Sequence, residues 1–466
     1  MRRRHPKSHP KLEGFLNKYL SGASMNYKMV IAIIIPLLVD QAFINGQTLF
    51  NTAMISAAGV DVVSAVSMVD SINMFLINVF IAVATGGTVI VAQYKGAGNA
   101  EMVSKAGTQT VTVVTLLATV LAIGVAVFHH PILMGLFGAA EPAVMSNAQV
   151  YIIGSALTWP GVAVIQAVCG SLRGVGDSKS SLWLSLVLNV SYVLFNLLFI
   201  SIMGMGVMGL VLTQVISRYG MAVVSLVYVT KYNFNVRFRV RYALKMDLKM
   251  QKRLMSVGLP FGAEQLFFHG GRLIMQTFIV QMGTAAITAN AIANSLSVLN
   301  NTGANALSIA VVTVVGQCMG RRDVEDARKF TKSFMFLAGL CFVVSGVILI
   351  GLFPLIIQLF APPQELINQI FWLILTCALA DPVLWSIAFV LPSALRAAGD
   401  AKFTSVAALT SMWVVRVVLG YVLGIVLNMG VMGVWLAMYI EWGARCVVFG
   451  LRFKGDKWYR HDLIGE

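Results

Sequence analysis

Long apolar runs separated by short polar stretches dominate this chain. About twelve of them fall at roughly 28–52, 63–90, 107–128, 147–171, 181–203, 206–230, 254–282, 285–315, 331–354, 366–394, 403–427 and 430–451. Each is long enough, at 18 or more mostly apolar residues, for a helix that crosses a bilayer. The roughly 10-residue alternating strands of a membrane barrel do not occur. The pattern predicts an all-α polytopic membrane protein with twelve transmembrane helices.

The polar punctuation repeats. Gly283 matches Gly59, and Gln317 and Gly320 match Gln93 and Gly96. Leu395-Arg-Ala-Ala-Gly-Asp-Ala-Lys402 matches residues 172–179 at an offset of 223, and Met429-Gly-Val-Met-Gly433 is identical to residues 205–209 at an offset of 224. Pro36 and Asp40 in span 1 return as Pro260 and Glu264 in span 7, again at 224 (260 − 36, 264 − 40). A near-constant offset over separate landmarks marks an internal duplication. Six spans per half, an even number, make the repeats parallel, related by a pseudo-twofold along the membrane normal. The expected organisation is a basic N-terminal segment 1–27, an N-lobe 28–230, a basic linker 231–253, a C-lobe 254–451 and a tail 452–466.

Composition agrees with a membrane-embedded chain: 58% hydrophobic, 11% charged, mean hydropathy +0.81. The net charge of +15 raises nucleic acid as a partner, but its placement argues against that. Lys and Arg crowd the N-terminal segment, the linker, the tail and the loops after spans 2, 4, 8 and 10. The alternate loops, near 53–62, 129–146, 201–205, 355–365 and 428–429, have none. This positive-inside pattern puts both termini in the cytoplasm, and the basic segments then suit anionic lipid. The five cysteines are scattered, with no disulfide frame and no zinc spacing.

Carboxylates inside spans are costly and mark candidate sites. Asp40, Glu264 and Asp381 count out near mid-depth along their spans. Such a group can bind Na⁺ with neighbouring oxygens, trade a proton because burial disfavours its charged form, or attract a cationic substrate. If one site cannot hold ion and cargo together, each expels the other. Asp70, close to Asn73, is a candidate to line an N-lobe cavity; Asn294 stands at its repeat position. Pro36 and Pro260 are hinge candidates, each freeing the carbonyl four residues earlier, at Ala32 and Ser256. Glu264 and Arg272, two turns apart, suit a structural charge chain with His269 or with span 10. Arg416 and Glu441 are read as an ion pair locking the C-lobe. Arg218 and Arg445 are expected to snorkel near the cytoplasmic ends of their spans.

The Gln93-to-Gly98 and Gln317-to-Gly320 loops, the two Leu-Arg-x-x-Gly-Asp-x-Lys loops and Gly258-Leu-Pro260 together resemble the MATE (multidrug and toxic compound extrusion) family. The resemblance covers about residues 28–458. It implies two six-helix bundles forming a V that rock between inward- and outward-open states. It implies a bacterial inner-membrane exporter of amphipathic, often cationic, compounds in exchange for Na⁺ or H⁺, working as a monomer with no cofactor beyond the coupling ion. The chain departs from well-known branches at ion-site positions. Asn51 stands where an Asp of span 1 is usual. Tyr192 and Asn196 stand where one branch has an Asn and an Asp in span 5. Glu264 and Asp381 lie about one turn before the acids of another branch. The resulting set for ion coupling or substrate binding is Asp40, Glu264, Asp381, Asp70, Asn51, Asn73 and Asn196, with a Na⁺ expected near Asp40 or near Glu264 and Asp381.

Three other classes remain. A flippase of lipid-linked oligosaccharide, or another exporter of an endogenous metabolite with a related fold, would show more helices or a strongly cationic central cavity. A major-facilitator transporter would carry Gly-x-x-x-Asp-x-x-Gly-Arg-Arg after span 2, and it is missing. An enzyme or an ATP-driven pump would need a catalytic cluster or a Gly-x-x-x-x-Gly-Lys-Ser/Thr loop, and neither is found.

Overall fold

The computed structural model describes residues 10–56, 60–138, 141–233 and 235–465, without the side chains of residues 10–12, 48–56 and 60. Among these residues there is no strand. A short helix, α1 (Pro10–Leu20), precedes the N-lobe: α2 (Tyr27–Ser56), α3 (Val60–Gly96), α4 (Ala100–Phe137), α5 (Pro142–Gly174), α6 (Ser178–Asn196) and α7 (Gly206–Val227). A one-turn helix, α8 (Val240–Leu244), sits in the linker. The C-lobe follows: α9 (Leu248–Gln281), α10 (Thr284–Gly320), α11 (Val324–Gly351), the short α12 (Phe353–Phe360), α13 (Gln364–Ala380), α14 (Leu391–Ala397), α15 (Ala401–Thr410), α16 (Val418–Tyr421) and α17 (Gly430–Lys454). Wide π turns join α13 to α14 across Asp381–Val390, and α15 to α16 across Ser411–Val417. In the first of these Pro382 has no N–H to give to the turn before it, so the ladder widens there.

Eleven spans among the described residues are long and apolar enough to cross a membrane. The twelfth is α9. Its 34 residues extend about 51 Å, but Glu264, His269 and Arg272 dilute its apolar content. The lipid-facing surface is plain on α4, where Leu116, Val120, Ile123 and Val127 recur every three or four residues and are all half exposed or more. Such a stripe would promote aggregation in water and is an ordinary surface in hydrocarbon. The linker 231–253 overlaps the first six residues of α9, and α1 lies inside the N-terminal segment that the sequence marks only as polar and basic.

The duplication extends to backbone detail. Asn99 Oδ1 accepts from Met102 N at 3.1 Å to cap α4, and Asp323 Oδ1 accepts from Asp326 N at 3.0 Å to cap α11. These caps stand 224 residues apart, and each satisfies an otherwise orphaned N–H of a first turn. The residue before each is left-handed: Gly98 at φ +76° and, in its place in the second half, Arg322 at φ +61°.

The halves interlock by exchanging their first helices. α2 packs on α10, and α9 packs on α3. The α3–α9 crossing is close because it is made of glycines. A Cβ on Gly86 would lie 2.7 Å from Gly258 N, and one on Gly258 would lie 2.9 Å from Val83 Cα.

Candidate functional site

In the N-lobe, α3 brings Asp70 and Asn73 to one face a turn apart, facing Tyr151 of α5 and Gln214 and Arg218 of α7. A cavity of about 300 Å³ forms between them, lined also by Gln47 of α2 and Asn189 and Tyr192 of α6. One hydrogen-bonded chain runs along its wall. Asp70 Oδ1 accepts from Asn73 Nδ2 at 3.1 Å and from Tyr151 OH at 3.0 Å. Tyr151 OH accepts from Gln214 Nε2 at 2.7 Å. Gln214 Oε1 accepts from Arg218 Nη1 at 3.1 Å, and the same nitrogen reaches Thr158 Oγ1 at 2.7 Å. Asn73 Oδ1 accepts from Trp159 Nε1 at 3.2 Å. The carboxylate and the guanidinium are therefore joined along one fixed polar wall, and apolar side chains such as Ile165 and Leu188 share the lining. Convergent polar groups set among apolar side chains in one cavity suit a small-molecule site.

The C-lobe holds a different acid. Asp381 is fully buried. Its Oδ2 accepts from Asn300 Nδ2 at 2.9 Å and from the Cys377 thiol at 3.1 Å, while Oδ1 has no hydrogen-bond partner among the described residues. Asn300 is oriented by Ser345, whose hydroxyl gives to Asn300 Oδ1 at 2.6 Å. A buried carboxylate oxygen with no donor is expensive, and either a proton or a small cation would relieve it. No cluster of three His, Cys, Asp or Glu side chains occurs among the described residues. A Na⁺ here would therefore depend on one carboxylate with amide, hydroxyl and carbonyl oxygens.

The span-7 acid is paired with an arginine, and the span-1 acid is not. Glu264 is paired with Arg396 of α14 at 3.1 Å and accepts from Ser405 Oγ of α15 at 2.9 Å. The Arg396 guanidinium also stacks over the Phe261 ring, 4.1 Å from its centre. Asp40, buried on α2, makes no ion pair among the described residues, and its Oδ1 has no hydrogen-bond partner there. Arg173 and Arg396 occupy the same place in the two Leu-Arg-x-x-Gly-Asp loops. Glu264 stands midway along α9, two residues past Gly262, which faces Val79 and Val83 of α3. Its cation comes from the tenth span and not from Arg272.

Three further expectations are corrected. Glu441 pairs with Arg445, one turn along α17, and accepts from Ser411 Oγ at 2.7 Å; Arg416 makes no ion pair among the described residues, and its Nε has no hydrogen-bond partner there. Arg445 does not snorkel but is fully enclosed at that pair. Arg218 does not snorkel either; it lines the N-lobe cavity. Asn196 is buried a turn beyond Tyr192, outside the cavity. Asn51 lies on α2, but its side chain is outside the described residues. Pro36 and Pro260 sit within helices that run on through them. The spacing of Glu441 and Arg445, i and i+4, was the signal for the true pair. Nothing local marked Tyr151 or Gln214.

At the other end of α3, the two halves latch each other. Gln93 Nε2 gives to the Ala397 carbonyl at 2.8 Å, and Gln317 Nε2 gives to the Gly174 carbonyl at 3.0 Å. Each glutamine of one half caps the final turn of a helix of the other half. Gly96 and Gly320 allow this, because a Cβ on either would overlap the Gln317 or the Gln93 carbonyl oxygen. Gln93 is 23 residues from Asp70, about 35 Å along the helix, so latch and cavity lie toward opposite membrane surfaces.

The MatE family model matches residues 36–200 and again residues 260–422. The chain belongs to the MATE family. The two matches begin 224 residues apart, the interval between Asp40 and Glu264. An uncharacterized transporter YisQ of Bacillus subtilis is 24% identical over 428 residues, spanning 89% of this chain and 91% of that one. The probable multidrug resistance protein NorM of Thermotoga maritima is 23% identical, spanning 83% of each. Among solved structures, the outward-facing conformation of a multidrug resistance MATE transporter superposes with a TM-score of 0.83 at 17% identity, covering 92% of this chain and 95% of that one. A transporter of the same superfamily from Pyrococcus furiosus superposes at 0.81 with 18% identity, covering 92% and 95%. This MATE protein is therefore a multi-pass transporter of twelve spans and not an enzyme.

Proposed function

We propose that this MATE protein is a secondary antiporter of the bacterial inner membrane, with both termini cytoplasmic, that exports amphipathic, often cationic, compounds in exchange for H⁺ or Na⁺. The observation that carries this reading is the division of labour between two acids. Asp70 stands in an accessible cavity beside hydrogen-bonding and apolar groups suited to cargo. Asp381 is closed off, with one bare oxygen suited to an inorganic cation. The cavity lies about 35 Å along α3 from the closed Gln93–Gln317 latch, which, with the basic loops in the cytoplasm, corresponds to an outward-open state. Glu264, paired with Arg396 and Ser405, ties α9 to α14 and α15 within the C-lobe.

A second reading has one observation in its favour. Arg218 gives the cavity both signs of charge, which suits a zwitterionic or anionic endogenous metabolite, including a lipid-linked one. The neighbour from Pyrococcus furiosus is described as having a binding pocket of reverse polarity that suggests a different function.

The test is export of a fluorescent cation from proteoliposomes, with pH and Na⁺ gradients imposed separately. Asp381→Asn is expected to abolish gradient-driven export, and Asp70→Asn to weaken cargo binding while leaving cation binding intact. Undiminished export in both variants would sink this assignment. Transport of an anionic or zwitterionic probe in preference to the cation would favour the second reading.

A further inference from the structure

The linker between α7 and α9 carries a surface that export does not use. It is held rigidly against α4. Gln109, fully buried, gives from Nε2 to the carbonyls of Tyr242 and Lys245, the latter at 2.9 Å. Arg237 N gives to Ser104 Oγ at 3.2 Å, and Asn233 Oδ1 accepts from Asn235 N and Val236 N. So fixed, the linker turns Val240, Leu244 and Leu248 outward, 70%, 80% and 76% exposed and spaced by four residues. Arg241, Lys245 and Lys249 stand immediately beside them, all exposed.

A cavity of about 590 Å³ opens here against the first turns of α4, lined by these three cations and by Lys105, Tyr242 and Leu248. Its two acids are already engaged. Asp247 pairs with Lys105 at 2.5 Å and caps α9 through Met250 N at 3.1 Å. Glu101 accepts from Tyr242 OH at 2.9 Å. Arg241, Lys245 and Lys249 make no ion pair among the described residues. Three free cations around a recess call for an anion. Three solvent-facing aliphatic side chains at its lip have no purpose for a free ion, whereas they suit acyl chains.

We propose that this recess binds the phosphate-bearing headgroup of an anionic phospholipid of the cytoplasmic leaflet, with the acyl chains against Val240, Leu244 and Leu248. The inference rests on the reading above only in placing the linker at the cytoplasmic surface. Attraction of a basic residue to an anionic surface, as in juxtamembrane polybasic segments, gives roughly a fivefold gain per charge.

The test uses the purified full chain in neutral detergent, with phosphatidylglycerol, phosphatidylcholine and inorganic phosphate as probes, read by native mass spectrometry. The wild type is expected to retain phosphatidylglycerol over phosphatidylcholine. R241Q/K245Q/K249Q is expected to weaken that retention about a hundredfold, with an unchanged thermal midpoint in lipid-free detergent. L244S/L248S is expected to weaken phosphatidylglycerol while leaving phosphate unaffected. Equal retention by the triple variant and the wild type overturns the proposal, as does displacement of the lipid by an equal concentration of phosphate, which marks a free-anion site. No gradient is present in this assay, so a failure of the export reading leaves its outcome unchanged. Labelling that places Lys245 on the outer face removes the topology on which both readings stand.

Discussion

Replacing Gln93 with alanine should release the latch and shift the transporter toward the state closed on the cavity side. Gln93 and Gln317 are 3% and 4% exposed, and each gives its amide to a helix-end carbonyl of the opposite half. Such terminal carbonyls have no intrahelical donor. Left buried without one, a carbonyl costs about 1–3 kcal/mol. When the lobes part at this end the carbonyl meets water, so the cost falls almost wholly on the latched state. The equilibrium should move by about 5–150-fold for one substitution, and further for Gln93→Ala with Gln317→Ala. The assay is spin-label distance measurement in a cysteine-free background. Labels go at Ala97→Cys and Lys402→Cys, both exposed and one on each side of the latch. The short-distance population should fall in either single variant by a similar amount, because the two contacts are related by the repeat. Distance distributions identical to the wild type in the double variant would refute the reasoning. A fall in only one single variant would show that the contacts are not equivalent.

Four further outcomes are expected. Glu264→Gln leaves Arg396 buried without a counter-charge and should destabilise by about 3–5 kcal/mol, seen as a lower thermal midpoint; adding Arg396→Met should recover much of it. Gly320→Ala, which forces a methyl group onto the Gln93 carbonyl, should lower the same short-distance population as Gln93→Ala without removing any hydrogen-bonding group. Arg322→Gly relieves a left-handed residue that costs roughly 1–2 kcal/mol and should raise the thermal midpoint. The Lys105 ammonium, aided by the Met250 N–H, holds the Asp247 carboxyl below the usual carboxylate range. A lowered folded-state pKa stabilises above the unfolded value, near 3.9, and that stability is lost as pH falls through the folded value. Between pH 6 and 3 the wild type should therefore lose slightly more stability than Asp247→Asn, by less than about 1 kcal/mol because the pair is partly solvated.

What could be read from the residues alone was whatever repeats or is local. Span lengths follow from runs of apolar residues, and the twofold organisation from landmarks 223–224 residues apart. Asp70 and Asn73 share a helix face by their spacing, and the structure places both in one cavity. What could not be read depends on which helices meet. Tyr151 reaches Asp70 across 81 residues, Arg396 reaches Glu264 across 132, and Gln93 reaches Ala397 across 304. No periodicity encodes those meetings. A long cationic side chain seeks the surface only when nothing nearer neutralises it, and Arg445 has Glu441 one turn away.

The two capping contacts have a bearing on how the chain arose. Each half carries both a glutamine that gives and a helix end that receives, in matching positions. Two separate copies of a single six-span unit, set side by side about a twofold axis, would close the same pair of contacts on each other, as self-complementary dimers do. The fused protein therefore keeps at its inner end the handshake of a homodimer, and the basic linker need only tether partners that already fit.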